Sequence, residues 1–129
     1  MSNVEPTMSK KVVVIDDSQT VRQQVGMALR QAGFEVIEAA DGDEGVELLG
    51  RVADVAMVIC DVNMPRMNGL DFLDAIKKDG KNANLPILML TTEGQPQLIE
   101  RAKKSGAKGW VVKPFKPELL VAAVKKLAS

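Results

Sequence analysis

Val55-Ala56-Met57-Val58-Ile59-Cys60-Asp61-Val62-Asn63-Met64-Pro65 runs six apolar residues straight into an aspartate, and from there into a loop closed by proline. The apolar stretch is strand-length and rich in small and β-branched side chains. Alternating polarity would mark a strand with one wet face. Unbroken apolarity marks a strand covered on both faces, the condition of a parallel sheet between helical layers. Val12 to Ile15, Phe34 to Ile37, Ile87 to Leu90 and Trp110 to Val112 are four more short runs of the same kind.

Segments of helical period separate these runs. Val21, Val25, Ala28, Leu29 and Ala32 recur at spacings of three and four, and Gly33 then supplies a stop. Asp41 is placed to cap a second helix that turns Val46 and Leu49 inward. Leu70, Leu73 and Ile76 line a third, with Phe72 widening the stripe. Leu98, Ile99 and Ala102 form a shorter stripe on a fourth, which ends near Gly106. Pro117 opens a fifth, which buries Leu120, Ala123, Val124 and Leu127. Five strand–helix units predict an α/β doubly wound five-stranded parallel sheet with five helices and right-handed crossovers.

The 129 residues suffice for one domain, and the 46% apolar, 26% charged composition is that of a globular protein. Met1 to Lys10 reads as a flexible polar tail without the apolar core of a secretory signal, and residues 11–129 as the domain. Basic and acidic residues balance at 17 each, so no bulk field points to nucleic acid or a membrane. Their placement is uneven, with 11 acidic and 5 basic residues through Asp61 and 6 acidic and 12 basic after it. The single cysteine, Cys60, excludes an internal disulfide and suits a reducing compartment. Its place in a central apolar run reads as a small buried hydrophobe rather than a redox group. With no histidine in the chain, histidine-based acid–base chemistry and histidine-ligated metals are excluded.

In an open parallel sheet, the loops at the carboxyl ends of the strands form the site crevice. Asp16 and Asp17 follow the first strand, Asp61 ends the third, Thr91 and Thr92 end the fourth, and Lys113 ends the fifth. Each alone has a plain explanation: Asp17-Ser18 as a helix cap, the threonines as another, Lys113-Pro114 as a surface turn. None of these requires all of them at one sheet edge. Two carboxylates ~5 Å apart repel by roughly 3 kcal/mol at an effective dielectric near 20. A single lysine cannot balance three of them, and an all-oxygen donor set favours Mg²⁺. Mg²⁺ beside a carboxylate, a lysine and a hydroxyl suits phosphoryl transfer, with the carboxylate as nucleophile and an acyl phosphate as product.

Asp16-Asp17, Asp61-Val62-Asn63-Met64-Pro65 with Gly69, Thr91-Thr92-Glu93 and Lys113-Pro114-Phe115 together resemble the response-regulator receiver domain. The likeness covers residues 11–127 and lies nearest the single-domain chemotaxis regulators. It implies a flavodoxin-like sheet of order 2-1-3-4-5. It also implies Asp61 as phosphoryl acceptor, and Mg²⁺ held by Asp16, Asp17, Asp61 and the backbone carbonyl of Asn63. Thr91 would contact the phosphoryl group, Lys113 would pair with one of its oxygens, and Lys113-Pro114 would be a cis peptide. Trp110 stands where the family usually carries a tyrosine or another aromatic that swings inward on activation; the plain reading is an exposed edge aromatic. Val62 replaces a tryptophan frequent beside the acceptor.

The resemblance further implies a phospho-acceptor switch rather than an enzyme. A chemotaxis-type histidine kinase would be the donor, and a phosphorylation-dependent partner such as a flagellar motor switch component the output, with a phosphatase to reset it. The setting would be cytoplasmic, without nucleic acid or membrane. The alternative is a phosphorelay intermediate that passes its phosphoryl group to a histidine phosphotransfer protein. A phosphohydrolase of the haloacid dehalogenase type would need a second aspartate where Asn63 stands, and a flavodoxin-like cofactor carrier would need a phosphate loop where Asp16-Asp17 stand. The output face is expected where Arg101, Lys103, Lys104, Lys108, Lys116, Lys125 and Lys126 gather against Glu100 and Glu118.

Overall fold

The computed structural model describes residues 10–128, so the expected tail lies, but for Lys10, outside the described residues. The elements alternate throughout: β1 (Lys11–Ile15), α1 (Gln19–Gln31), β2 (Glu35–Ala39), α2 (Gly42–Arg51), β3 (Val55–Cys60), α3 (Gly69–Lys78), a 3₁₀ turn (Gly80–Asn82), β4 (Ile87–Thr91), α4 (Pro96–Lys104), β5 (Gly109–Val112) and α5 (Pro117–Leu127). The strands are all parallel and ordered β2-β1-β3-β4-β5. Among the described residues, no helix is long and apolar enough to cross a membrane.

Strand geometry explains the unbroken apolar runs. Successive side chains point to opposite faces. Val12, Val14, Met57, Ile59, Leu88 and Leu90 face one layer, where they meet Val25 and Leu29 of α1 and Leu120 and Val124 of α5. Val13, Ile15, Val58, Cys60, Ile87 and Met89 face the other, against Leu48 and Leu49 of α2, Phe72, Leu73 and Ile76 of α3, and Ala102 of α4. Burial pushes the Cys60 thiol well up, and the charges of Asp61 and Asp16 add to the shift, so the reactive thiolate is disfavoured.

Several expectations shift. β2 covers Glu35–Ala39 rather than 34–37, because Phe34 still belongs to the helix exit: its N–H donates to Leu29 O behind Gly33, whose φ is +95°. Val46 points outward, while Gly45, Leu48 and Leu49 form the buried face of α2. Gly45 rather than Val46 takes the inward position, where its lack of a side chain lets the helix approach Ile15 and Phe72. Of the α4 stripe only Ala102 is fully buried, and in α5 Ala123 and Leu127 are half-buried.

Asp41 caps α2 as expected, its Oδ1 accepting from the Glu44 N–H at 2.8 Å. Its Oδ2 accepts from the Arg66 guanidinium across the β3–α3 loop. The Glu44 N–H, then Arg66, hold its carboxyl below the usual range. A depressed carboxyl stabilises the fold above its unfolded pKa of about 4, and that stability is lost as pH falls from there through the lower folded value. Asp41→Asn keeps a cap acceptor without the charge. Urea midpoints between pH 7 and pH 3 are therefore expected to fall more steeply in wild type, with a loss of about 1 kcal/mol in the variant at pH 7. Parallel acid limbs would remove Asp41 from the account.

Candidate functional site

Asp16, Asp61 and Lys113 are each the first residue beyond a strand, and the ladder pins all three. The Asp16 N–H donates to Ala39 O at 3.1 Å, the Asp61 N–H to Ile15 O at 3.0 Å and the Lys113 N–H to Thr91 O at 2.8 Å. Sheet pairing thus runs one step past the strands and delivers these side chains to a common lip.

There the charges meet. Lys113 Nζ donates to Asp16 Oδ2 at 2.8 Å and to Asp61 Oδ2 at 3.2 Å. The remaining oxygens are also engaged: Asp16 Oδ1 accepts from the Ser18 N–H at 2.9 Å, and Asp61 Oδ1 from the Asn63 N–H at 3.3 Å. Asp17 completes the cluster, with one carboxylate oxygen from each of Asp16, Asp17 and Asp61 within 4.8 Å of the others. Asp16 and Asp61 are buried, whereas Asp17 is exposed and has no polar partner among the described residues.

Burial raises the Asp16 carboxyl, and the Lys113 ammonium only partly offsets that. Burial works against the Lys113 charge too, but its bond to Asp16 and the charge of Asp61 outweigh it and keep the ammonium protonated. One ammonium against three carboxylates leaves the lip negative. The donors are all oxygens, close-set and partly open to water through Asp17. That is the donor chemistry of a hard divalent cation, and it fits Mg²⁺.

The second flank is built on Glu93. Thr91 is fully buried at the end of β4, and its Oγ1 accepts from the Glu93 N–H at 3.3 Å. The Glu93 carbonyl accepts from Trp110 Nε1 at 2.8 Å, and its carboxylate accepts from Asn63 Nδ2 at 2.8 Å. One residue therefore joins the threonine, the indole and the loop behind Asp61. Sequence reasoning placed Glu93 in the motif but had no signal for the bond through its carbonyl. Trp110 is half-buried and hydrogen-bonded, not an exposed edge aromatic.

The expected residues Asp16, Asp17, Asp61 and Lys113 gather in one cluster, and Asn63 is bonded to it. Thr92 is exposed, and Ser18 rather than Asp17 caps α1. Gln95, not a threonine, stands at the start of α4. Lys113-Pro114 is cis. Gly69 begins α3 against Asp61: a Cβ there would lie 1.9 Å from the Asp61 carbonyl oxygen.

Because Asp17 is exposed and caps nothing, Asp17→Ala is expected to leave the melting temperature in EDTA unchanged or slightly raised, since a crowded negative charge is removed. Millimolar Mg²⁺ is expected to stabilise wild type, by about 2.7 kcal/mol at a hundredfold excess over Kd, and that gain should largely vanish in the variant. A clear loss of stability in EDTA would make Asp17 a structural residue instead.

Comparison with known proteins agrees with this geometry. Residues 12–125 match the response regulator receiver domain. The chain is 41% identical over 111 residues to chemotaxis protein CheY1 of Helicobacter pylori, covering 85% of this chain and 90% of that one. It is 40% identical to a chemotaxis protein CheY homolog of Campylobacter jejuni, with 85% of each covered. The solved structure of chemotaxis response regulator CheY4 of Vibrio cholerae superposes with a TM-score of 0.87 at 41% identity, over 93% of this chain and 99% of that one.

Proposed function

The chain belongs to the response regulator receiver domain family, of the type found in CheY chemotaxis regulators, and from that premise we propose that Asp61 accepts a phosphoryl group from a histidine kinase. The observation that carries this reading is the Lys113 ammonium bridging Asp16 and Asp61 beside Asp17. Receiver domains are phospho-acceptor switches that bind Mg²⁺ at an acidic pocket. Here Asp16, Asp17, Asp61 and the Asn63 carbonyl would hold the ion, which supplies neutralisation of the carboxylates and of the phosphoryl oxygens.

A carboxylate oxygen of Asp61 attacks phosphorus, the bond from phosphorus to the donor's imidazole nitrogen breaks, and the imidazole takes its proton from water. Lys113 already sits on Asp61 Oδ2 and turns its ammonium to a phosphoryl oxygen. Thr91 presents a hydroxyl from the neighbouring strand end, at the cost of its contact with the Glu93 N–H. Both groups stabilise charge on the transferring phosphoryl group. The product is an acyl phosphate on Asp61, and its loss to water, assisted by a phosphatase, resets the switch.

The output reading is phosphorylation-dependent binding of a protein such as a flagellar motor switch component, in a cytoplasmic chemotaxis system. Its support is the basic surface of α4, β5 and α5, joined to the site by the Trp110–Glu93 bond. Arg101 is engaged within the chain by Asp71 and Asp74 of α3, so the exposed Lys103, Lys104, Lys108, Lys116 and Lys125 provide the charge open to a partner. A second reading has one observation in its favour. A groove of about 730 Å³, lined by Val21, Met27, Ala28, Pro114 and Phe115, opens beside Lys113. It suits a helical phosphotransfer protein seated over the acceptor, as a phosphorelay would need.

Incubation with acetyl phosphate and Mg²⁺ is expected to give a label that hydroxylamine removes and EDTA prevents. A label insensitive to EDTA would place the chemistry elsewhere.

A further inference from the structure

Arg66 is strongly exposed, yet it holds a backbone conformation that side-chain-bearing residues seldom adopt, with φ +66°. Something must compensate for it. Its guanidinium lies on the buried carboxylate of Asp41, with Asp43 Oδ2 3.7 Å from Nε. The next residue on each side fits as well: a Cβ on Gly42 would stand 2.8 Å from Met67 O and 2.9 Å from the Met67 side chain. The first turn of α2 is therefore both a charge anchor and a steric notch for the loop between Asp61 and Gly69. Asp41 divides its two oxygens between the tasks, Oδ1 to the helix cap and Oδ2 to Arg66.

We infer that Arg66 is a positioning residue for the phosphorylation site, clamping to the N-terminus of α2 the loop that carries Asn63. The inference rests on the reading of Asp61 as acceptor and of the Asn63 carbonyl as a group turned toward Mg²⁺. Among the described residues, besides the Asn68 cap on α3, the polar side-chain ties from this loop to other parts of the chain run from Asn63 to Glu93 and from Arg66 to Asp41 and Asp43. The first tie lies on the α4 side and the second on the α2 side, so the loop is held from both flanks. Releasing the α2 flank lets residues 62–68 drift while the strand end beneath Asp61 stays paired.

Arg66→Gly separates this role from general stability, because glycine relieves the left-handed backbone while it removes the clamp. Its thermal midpoint is expected to stay within a few degrees of wild type. Mg²⁺ affinity, titrated with the metal alone and followed by amide shifts, should weaken about three- to fivefold, the range an ion pair of this exposure can supply. Exchange of the Asn63 and Met67 amides should rise about tenfold through local opening, and Arg66→Lys should recover most of both effects. Unchanged affinity and exchange in Arg66→Gly, or no recovery in Arg66→Lys, overturns the clamp. If wild type itself bound no Mg²⁺, the acceptor reading would fail, and the exchange rates alone would still decide whether Arg66 holds the loop.

Discussion

Asp61→Asn is expected to reduce labelling by acetyl phosphate to background while leaving the fold in place. An amide has no anionic oxygen to attack phosphorus, so the loss is of the nucleophile itself, not of its positioning. The geometry limits collateral damage. Asn matches the shape of Asp, its carbonyl can still accept from the Asn63 N–H, and Lys113 keeps Asp16 at 2.8 Å. One of the crowded carboxylates is gone as well, which relieves repulsion. Melts in EDTA should therefore show Asp61→Asn no less stable than wild type by more than about 1 kcal/mol. Asp16 and Asp17 are the obvious substitutes as acceptors, so the label should be mapped in wild type by peptide analysis. Full labelling of Asp61→Asn would assign the reaction to one of them.

Gly69→Ala is expected to damage both stability and phosphorylation, although it adds a single methyl group to a helix. The methyl would stand 1.9 Å from the Asp61 carbonyl oxygen, 2.8 Å from its carbon and 2.9 Å from the Val62 Cα. All three are backbone atoms, so no side chain can swing aside. The Gly69 N–H also donates to Val62 O at 2.8 Å, and making room would stretch that bond. Overpacking against fixed backbone costs about 3 kcal/mol or more, a fall of roughly 10 °C in Tm for a domain of this size. The displacement falls on Asp61, the proposed acceptor, so labelling should drop even at temperatures where the variant is folded. Gly50→Ala is the matched control: a Cβ there meets nothing within 4 Å, and removing a helical glycine should add roughly 0.5–1 kcal/mol. A Gly69→Ala variant as stable and reactive as wild type would show that β3 and α3 can part without consequence.

Much of this was legible in the residues, for a physical reason. A strand buried on both faces must be apolar throughout, so Val55 to Cys60 announced its place in the sheet. Side chains just past such strands must gather at one edge, which brought Asp16, Asp61 and Lys113 together on paper. Phase and cross-loop contacts were not legible. The spacing of Val46 and Leu49 suggests an inward pair, but the buried face runs through Gly45, Leu48 and Leu49, about 100° round the helix from Val46, and a glycine gives no apolar signal. The Arg66–Asp41 and Trp110–Glu93 contacts join segments well separated in sequence, and no local pattern records them. Nor does any pattern show that Lys113 would bridge two carboxylates rather than meet one.

The Lys113–Asp16 bond joins residues 97 positions apart. A chain still emerging from the ribosome would carry all three acidic residues well before the lysine that steadies them. The cluster is complete only once β5, at the far edge of the sheet, has been made and paired. A copy cut short before β5 lacks Lys113, and its three carboxylates face one another with no ammonium among them.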